Sequence, residues 1–333
     1  MKIKGTMTRL AIAATIAAAG LTAPVAQAAD RLSVALPAKM FVSLPEFVAQ
    51  DKGFYADQGL DVSFDHIADS SIPIRSLISG SSDVIEAGMA ETLIAVGKGA
   101  EVRTIGGIAT GLHYALWVRP DSGISSIEDF PGKNIAVSSP GSLPHVVILA
   151  LLRQAGVPEA EIDTINWVAV SGSSARRNAI LAGTVDATVA SYSPQADRAE
   201  GIDLMSVVGE ALPNYVMLPW DVSVKSIETR RDVLKRFITA ELLATRFIFE
   251  NEAEALEIAK AHFDFSDEDL AAFYDFYTGG IWNPDGLVSD EAATYMQELN
   301  VAAGMQPEVL PVEAVLDQSI LLEVLDEIGR FEN

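Results

Sequence analysis

Strand and helix patterning alternate along this chain from residue 32 to residue 189, and from residue 227 onward the strand patterning stops. A strand, a helix and a second strand in that order bring the two strands parallel through a crossover on one face. The alternation therefore calls for parallel-rich sheets covered by helices, an α/β architecture. Residues 32–36 alternate apolar and polar, and residues 60–64, 84–87, 102–105, 114–118, 134–137, 167–170 and 185–189 read as further short strands. Ser43-Leu44-Pro45-Glu46 reads as a capping box with proline in the first helical turn, and residues 74–78 lie in another helix. Nearly half of the 333 residues are apolar, which is enough for about two lobes with sizeable cores.

The amino end follows a different logic. Lys2, Lys4 and Arg9 precede an uncharged, alanine-rich run over residues 10–21, Pro24 breaks it, and Ala26 and Ala28 supply the small residues that a signal peptidase reads. The run is too short and too weakly apolar for a membrane span. The chain is expected to be exported, with a signal peptide at 1–28 and a periplasmic mature protein. Removing residues 1–28 takes away three cations and no carboxylate, so the formal charge moves from −23 to −26. Such a surface repels phosphate backbones and anionic headgroups, which argues against nucleic acid or membrane as partner. The absence of cysteine excludes disulfides and a lipid-modified cysteine, so the fold must stand on its core alone.

Several ordered phrases carry a resemblance. Asp51-Lys52-Gly53-Phe54-Tyr55 is followed by Gln58-Gly59-Leu60-Asp61-Val62, and Leu77-Ile78-Ser79-Gly80 by Ser82-Asp83-Val84. Residues 124–133 read ISSIEDFPGK before Asn134-Ile135-Ala136-Val137, and residues 180–187 read ILAGTVDA. Over roughly residues 31–260 the chain resembles the periplasmic substrate-binding proteins of ABC importers for sulfonates, taurine, nitrate and thiamine-precursor pyrimidines. The resemblance implies a type II periplasmic binding protein fold, two α/β lobes with a ligand cleft and two interlobe crossings. Those crossings are expected at 116–120 and 218–223, giving one lobe of residues 30–117 plus 221–333 and another of residues 118–220. Some fungal relatives make the thiamine pyrimidine with a cysteine-rich metal motif; a chain without cysteine does not carry that activity over.

Three loops at strand ends are candidates for the cleft. Gly88-Met89-Ala90-Glu91-Thr92 lets a ligand approach the backbone, with Met89, Glu91 and Thr92 as candidate contacts. Glu91 suits a cationic or hydrogen-bond-donating ligand, or is a solvated helix-start residue. The loop 138–145 has two prolines, a glycine and three serines, more than a cap requires; Ser139, Gly141, Ser142 and His145 are candidates there, with Ser138 nearer the strand end. Ser173 stands in a similar serine-rich loop, while Tyr192, Trp220 and Asp221 are candidates beside the cleft and at the return crossing. Arg176 and Arg177 lie just inside a helix, where they can face solvent.

Catalytic signatures are lacking. The four histidines are isolated, and neither a nucleophile elbow nor a phosphate loop occurs, so no enzyme activity, metal or cofactor is expected. The resemblance implies a monomer that captures a small polar organic molecule or oxyanion and delivers it to an inner-membrane ABC permease with its cytoplasmic ATPase. A ligand-presenting sensory protein for a membrane receptor is the alternative. Cleavage after Ala28 predicts a mature chain beginning at Ala29 or Asp30, which intact mass of periplasmic material checks; retention of residues 1–28 contradicts both the leader and the location.

Overall fold

A computed structural model describes Met1 and residues 28–37, 39–67 and 72–332; the expected leader over residues 2–27 lies outside the described residues. Among the described residues ten strands form two five-stranded sheets. The first takes β1 (Asp30–Pro37), β2 (Leu60–Ile67), β3 (Val84–Glu86), β4 (Val102–Ala109) and β10 (Leu218–Ser223), in the order β2-β1-β3-β10-β4. The second takes β5 (Tyr114–Val118), β6 (Asn134–Val137), β7 (Asn166–Ala169), β8 (Ala187–Ser191) and β9 (Asp203–Val207), in the order β7-β6-β8-β5-β9. Both sheets repeat one plan. Three parallel strands are followed by one antiparallel strand, β10 or β5, which the chain supplies on arriving from the other sheet.

The sheet memberships correct the expected crossings. All five residues of β5 pair with β8, and β10 pairs with β3 and β4, so 116–118 and 218–223 fall on strands. A boundary at 117/118 cuts β5 and one at 220/221 cuts β10. The chain changes sheet between Ala109 and Tyr114 and again between Val207 and Leu218, and we take 110–113 and 208–217 as the segments joining the lobes.

The eight expected strands are present, while β9 and β10 were not foreseen as strands. Pro219 argues against a central strand because it cannot donate to the ladder. Here the opposing strand gives way: β10 shifts register around Trp220 against β4, and a Cβ on Gly107 would lie 2.6 Å from the Pro219 Cα. The glycine pair of β4 thus admits a proline into the middle of a sheet. The helical carboxyl-terminal third covers the first sheet, its longest helix, Arg231–Glu250, burying Val233, Leu234, Phe237, Ile238 and Leu242 at three- and four-residue spacing.

The first joining segment is packed backbone to backbone. Gly111 donates its N–H to the Ile281 carbonyl at 3.0 Å, and a Cβ there would meet the Gly280 carbonyl oxygen at 2.3 Å. Gly111→Ala should therefore cost about 1–3 kcal/mol, read from urea unfolding, because no flexible side chain can move aside. An unchanged midpoint contradicts this close approach.

Candidate ligand cleft

A cavity of about 400 Å³ lies between the two sheets, at the ends where helices start. Its first-lobe wall includes Glu86, Ala87, Gly88, Glu91, Met217 and Leu218; its second-lobe wall includes Tyr114, Ser138 to Leu143, Ser173, Arg176 and Ser191. Five of the expected contacts line it: Glu91, Ser139, Gly141, Ser142 and Ser173.

The serine-rich loop holds itself in shape. The Ser142 hydroxyl donates to the Ser139 carbonyl at 2.7 Å and accepts the Ser139 N–H at 3.2 Å, so its proton is spent inside the loop. Gly141 turns the chain at φ 78°, and its N–H donates to His145 Nδ1 at 3.0 Å. Burial, and then Arg153, lower the pKa of His145. Its neutral ring stands edge-on to Trp167 at 4.6 Å. His145 therefore shapes the loop from behind; it does not line the cavity. Nor do Ser142 and His145 form a nucleophile and base, since both are committed elsewhere.

Arg176 is the cavity-wall cation that the sequence reading gave to solvent. It is 1% exposed and lines the cavity instead of facing solvent. Its Nη1 donates to Ser138 Oγ at 2.7 Å and to the Val170 carbonyl at 3.4 Å, Nη2 to Ser173 Oγ at 3.2 Å, and Nε to the Val189 carbonyl at 3.2 Å. Among the described residues no carboxylate pairs with it. Burial lowers its pKa, opposed by the neighbouring Tyr114 hydroxyl, yet a guanidinium stays charged at neutral pH. Arg177 donates to the Ser191 carbonyl at 2.7 Å and lies over the Trp117 ring, backing the same wall. The available signal was spacing: Arg176 follows Ser173 by three residues on the helix Ser173–Leu181, hence on the same face.

On the first lobe the chemistry is acidic. Glu86 ends β3, is 1% exposed, and accepts the Trp220 Nε1–H at 3.0 Å. Glu46, expected to close a capping box with Ser43, is buried beside Glu86 instead, and the Ser43 side chain makes no cap bond. Glu46 and Glu86 hydrogen-bond to each other, which requires a proton between them. Behind them the Tyr55 hydroxyl donates to Glu241. Burial pushes Glu86 up to about 8 and holds Glu46 and Glu241 well above the carboxylate range.

The remaining expected contacts lie outside the cavity lining. Trp220 is fully buried and positions Glu86. Asp221 is buried as well, taking hydroxyl bonds from Thr92 at 2.6 Å and Thr104 at 2.5 Å, and burial raises it to about 7. Met89 is sealed in the core. Tyr192 stacks on Phe276 at 4.4 Å, between the second lobe and the helix Asp267–Thr278. Beside it Gln195 donates to Asp269 at 3.0 Å and Arg198 pairs with the same carboxylate, so this patch ties the lobes together outside the cavity.

A family model described as NMT1/THI5 like matches residues 41–255. The riboflavin-binding protein RibY of Chloroflexus aurantiacus is 23% identical over 74% of this chain and 71% of its own. Two solved structures have the same fold. The periplasmic aliphatic sulphonate binding protein SsuA of Escherichia coli superposes with a TM-score of 0.70 at 17% identity, over 88% of this chain and 99% of its own. The periplasmic nitrate-binding protein NrtA of Synechocystis PCC 6803 gives 0.72 at 13% identity, over 90% and 89%. The architecture is the two-lobed type II periplasmic binding fold.

The buried carboxyls set a pH dependence. Their folded pKa values lie above the unfolded ones, so the stability they contribute is complete below the unfolded value and is lost as pH rises through the folded value. Urea unfolding should give a lower midpoint at about pH 8 than at about pH 5, and Glu46→Gln should reduce that difference. An equal pH difference in wild type and variant contradicts the shared proton.

Proposed function

The chain belongs to the NMT1/THI5-like family, and we propose that it is the solute-binding component of an ABC importer, working in the periplasm and capturing a small molecule with an anionic group between its lobes. The observation that carries the reading is Arg176, a buried cation on the cavity wall with no carboxylate partner among the described residues. Holding a charge away from water without a counter-charge is costly, and an anion entering the cavity supplies one. Ser138 and Ser173 pin the guanidinium fork, while the loops entering the helices Leu143–Gln154 and Ser173–Leu181 line the same wall. Sulphonate and nitrate, named for two similar folds, are compact oxyanions that suit such a wall.

The mechanism is binding and closure. A ligand touching both walls favours the closed arrangement of the lobes, with 110–113 and 208–217 absorbing the motion, and the permease takes the ligand from that closed form. The chemistry asked of the protein ends with desolvation and charge matching; no bond of the ligand is broken.

A thermal-shift screen of alkyl sulfonates, nitrate, carboxylates and pyrimidines tests this, since a ligand at 100 times its Kd adds about 2.7 kcal/mol. For the tightest anion, Arg176→Gln should raise Kd about 10- to 100-fold, the worth of about 1.5–3 kcal/mol for a charged hydrogen bond, with the circular dichroism spectrum unchanged. Wild-type affinity in that variant contradicts the reading.

A further inference from the structure

Outside the cavity the two lobes meet at a second place. The second lobe brings Tyr192, Gln195 and Arg198, on and beside the short helix Pro194–Asp197; the first lobe brings Asp269 and Phe276 of the helix Asp267–Thr278. None of these five residues lines the cavity. We propose that this patch is a latch that works without ligand. It holds the lobes closed while the cavity is empty, and it sets part of the binding affinity from residues that never touch what is bound.

Asp269 makes the patch more than a surface contact. An exposed ion pair contributes little, because water screens it and two long side chains must be held still. The Asp269 side chain is 6% exposed, and both of its carboxylate oxygens are engaged. Its Oδ2 accepts from Ser266 Oγ at 2.8 Å, while Ser266 Oγ accepts the Asp269 N–H at 3.1 Å. The first lobe thus fixes the carboxylate by itself. The second lobe then delivers two donors, Gln195 Nε2 to Oδ2 at 3.0 Å and Arg198 Nη2 to Oδ1. Such a charge-assisted bond to a preorganised, shielded acceptor is stronger than an exposed pair. Glu268, 3.6 Å from Arg198 Nη1, adds a second anion, and the Tyr192 ring on Phe276 adds an apolar contact that salt does not weaken.

The patch is coupled to the cleft through the chain itself. Tyr192 follows Ser191, which lines the cavity, and the Tyr192 N–H donates to the His113 carbonyl at 2.9 Å on the first joining segment. Parting the lobes at the cavity therefore carries Tyr192, Gln195 and Arg198 away from the helix. Because apparent Kd is the intrinsic value divided by the fraction of protein in the closed, binding-competent form, the latch tightens every ligand alike.

The chain has no cysteine, so Lys98→Cys on the first lobe and Asp163→Cys on the second give a spin-label pair free of other thiols. Double electron–electron resonance on ligand-free protein, unfolded and refolded to strip any carried ligand, reads the distance between the lobes. We expect one short distance in the otherwise wild-type pair. In Gln195→Ala/Arg198→Gln a longer distance should appear, its share relative to the short one rising at least about fivefold. Arg198→Lys, which keeps the charge, should retain most of the short distance. Sodium chloride at about 1 M should lengthen the wild-type pair and leave the double variant unchanged. Gln195 and Arg198 are both exposed, and circular dichroism with urea midpoints verifies that the variants are folded. A double variant with wild-type distances overturns the latch, and so does a wild type as open as the variant or a salt response equal in both. No ligand enters the experiment, so its outcome is separate from that of the anion-binding reading.

Discussion

A single buried guanidinium organises the second lobe. Arg176 reaches Ser138 beyond the end of β6, the Val170 carbonyl beyond the end of β7, and the Val189 carbonyl within β8, so one side chain ties together the carboxyl ends of three parallel strands. These acceptors are neutral, and they satisfy the donors without cancelling the charge. The lobe is thus built around a cation that no carboxylate pairs among the described residues, at the carboxyl ends of its parallel strands. Ser173 serves twice, accepting from Arg176 and from the Ser191 N–H, and this joins the cation to the adjoining strand end.

The first lobe answers with the opposite chemistry from the same sheet plan. Beside the cavity its buried groups are acidic: Glu46, Glu86 and Glu241 in one cluster, and Asp221 of β10 held by Thr92 and Thr104. Water is excluded from both groups, and protonation, not ion pairing, keeps the glutamates tolerable there. Crossings at 110–113 and 208–217 let each sheet lend its neighbour one antiparallel strand, and the contrast in sign falls across the cavity between them.

The alternating pattern was legible because each parallel strand is a short apolar run between helices, and eight runs stand where the sequence placed them. Pro219 hid β10, because its accommodation depends on Gly107 of a partner strand more than a hundred residues away. The capping box at Ser43 and Glu46 matched local rules, yet Glu46 turned inward to Glu86, a choice made by tertiary packing and invisible at short range. Of the expected contacts, those on the loops 138–142 and 171–173 line the cavity, while Trp220 and Asp221 are buried behind it. Arg176 was given to solvent because it stands just inside a helix, next to a second arginine. The buried face is settled by the helix's seat against β8, although the interval to Ser173 was a usable clue.

A crystal structure of the protein saturated with the tightest-binding anion tests the account most directly. The account predicts an acidic oxygen of the ligand within about 3.2 Å of an Arg176 Nη, with both lobes in contact with the ligand. A ligand seated elsewhere, or one whose acidic group faces water while Arg176 keeps only Ser138, Ser173 and its backbone carbonyls, would contradict it.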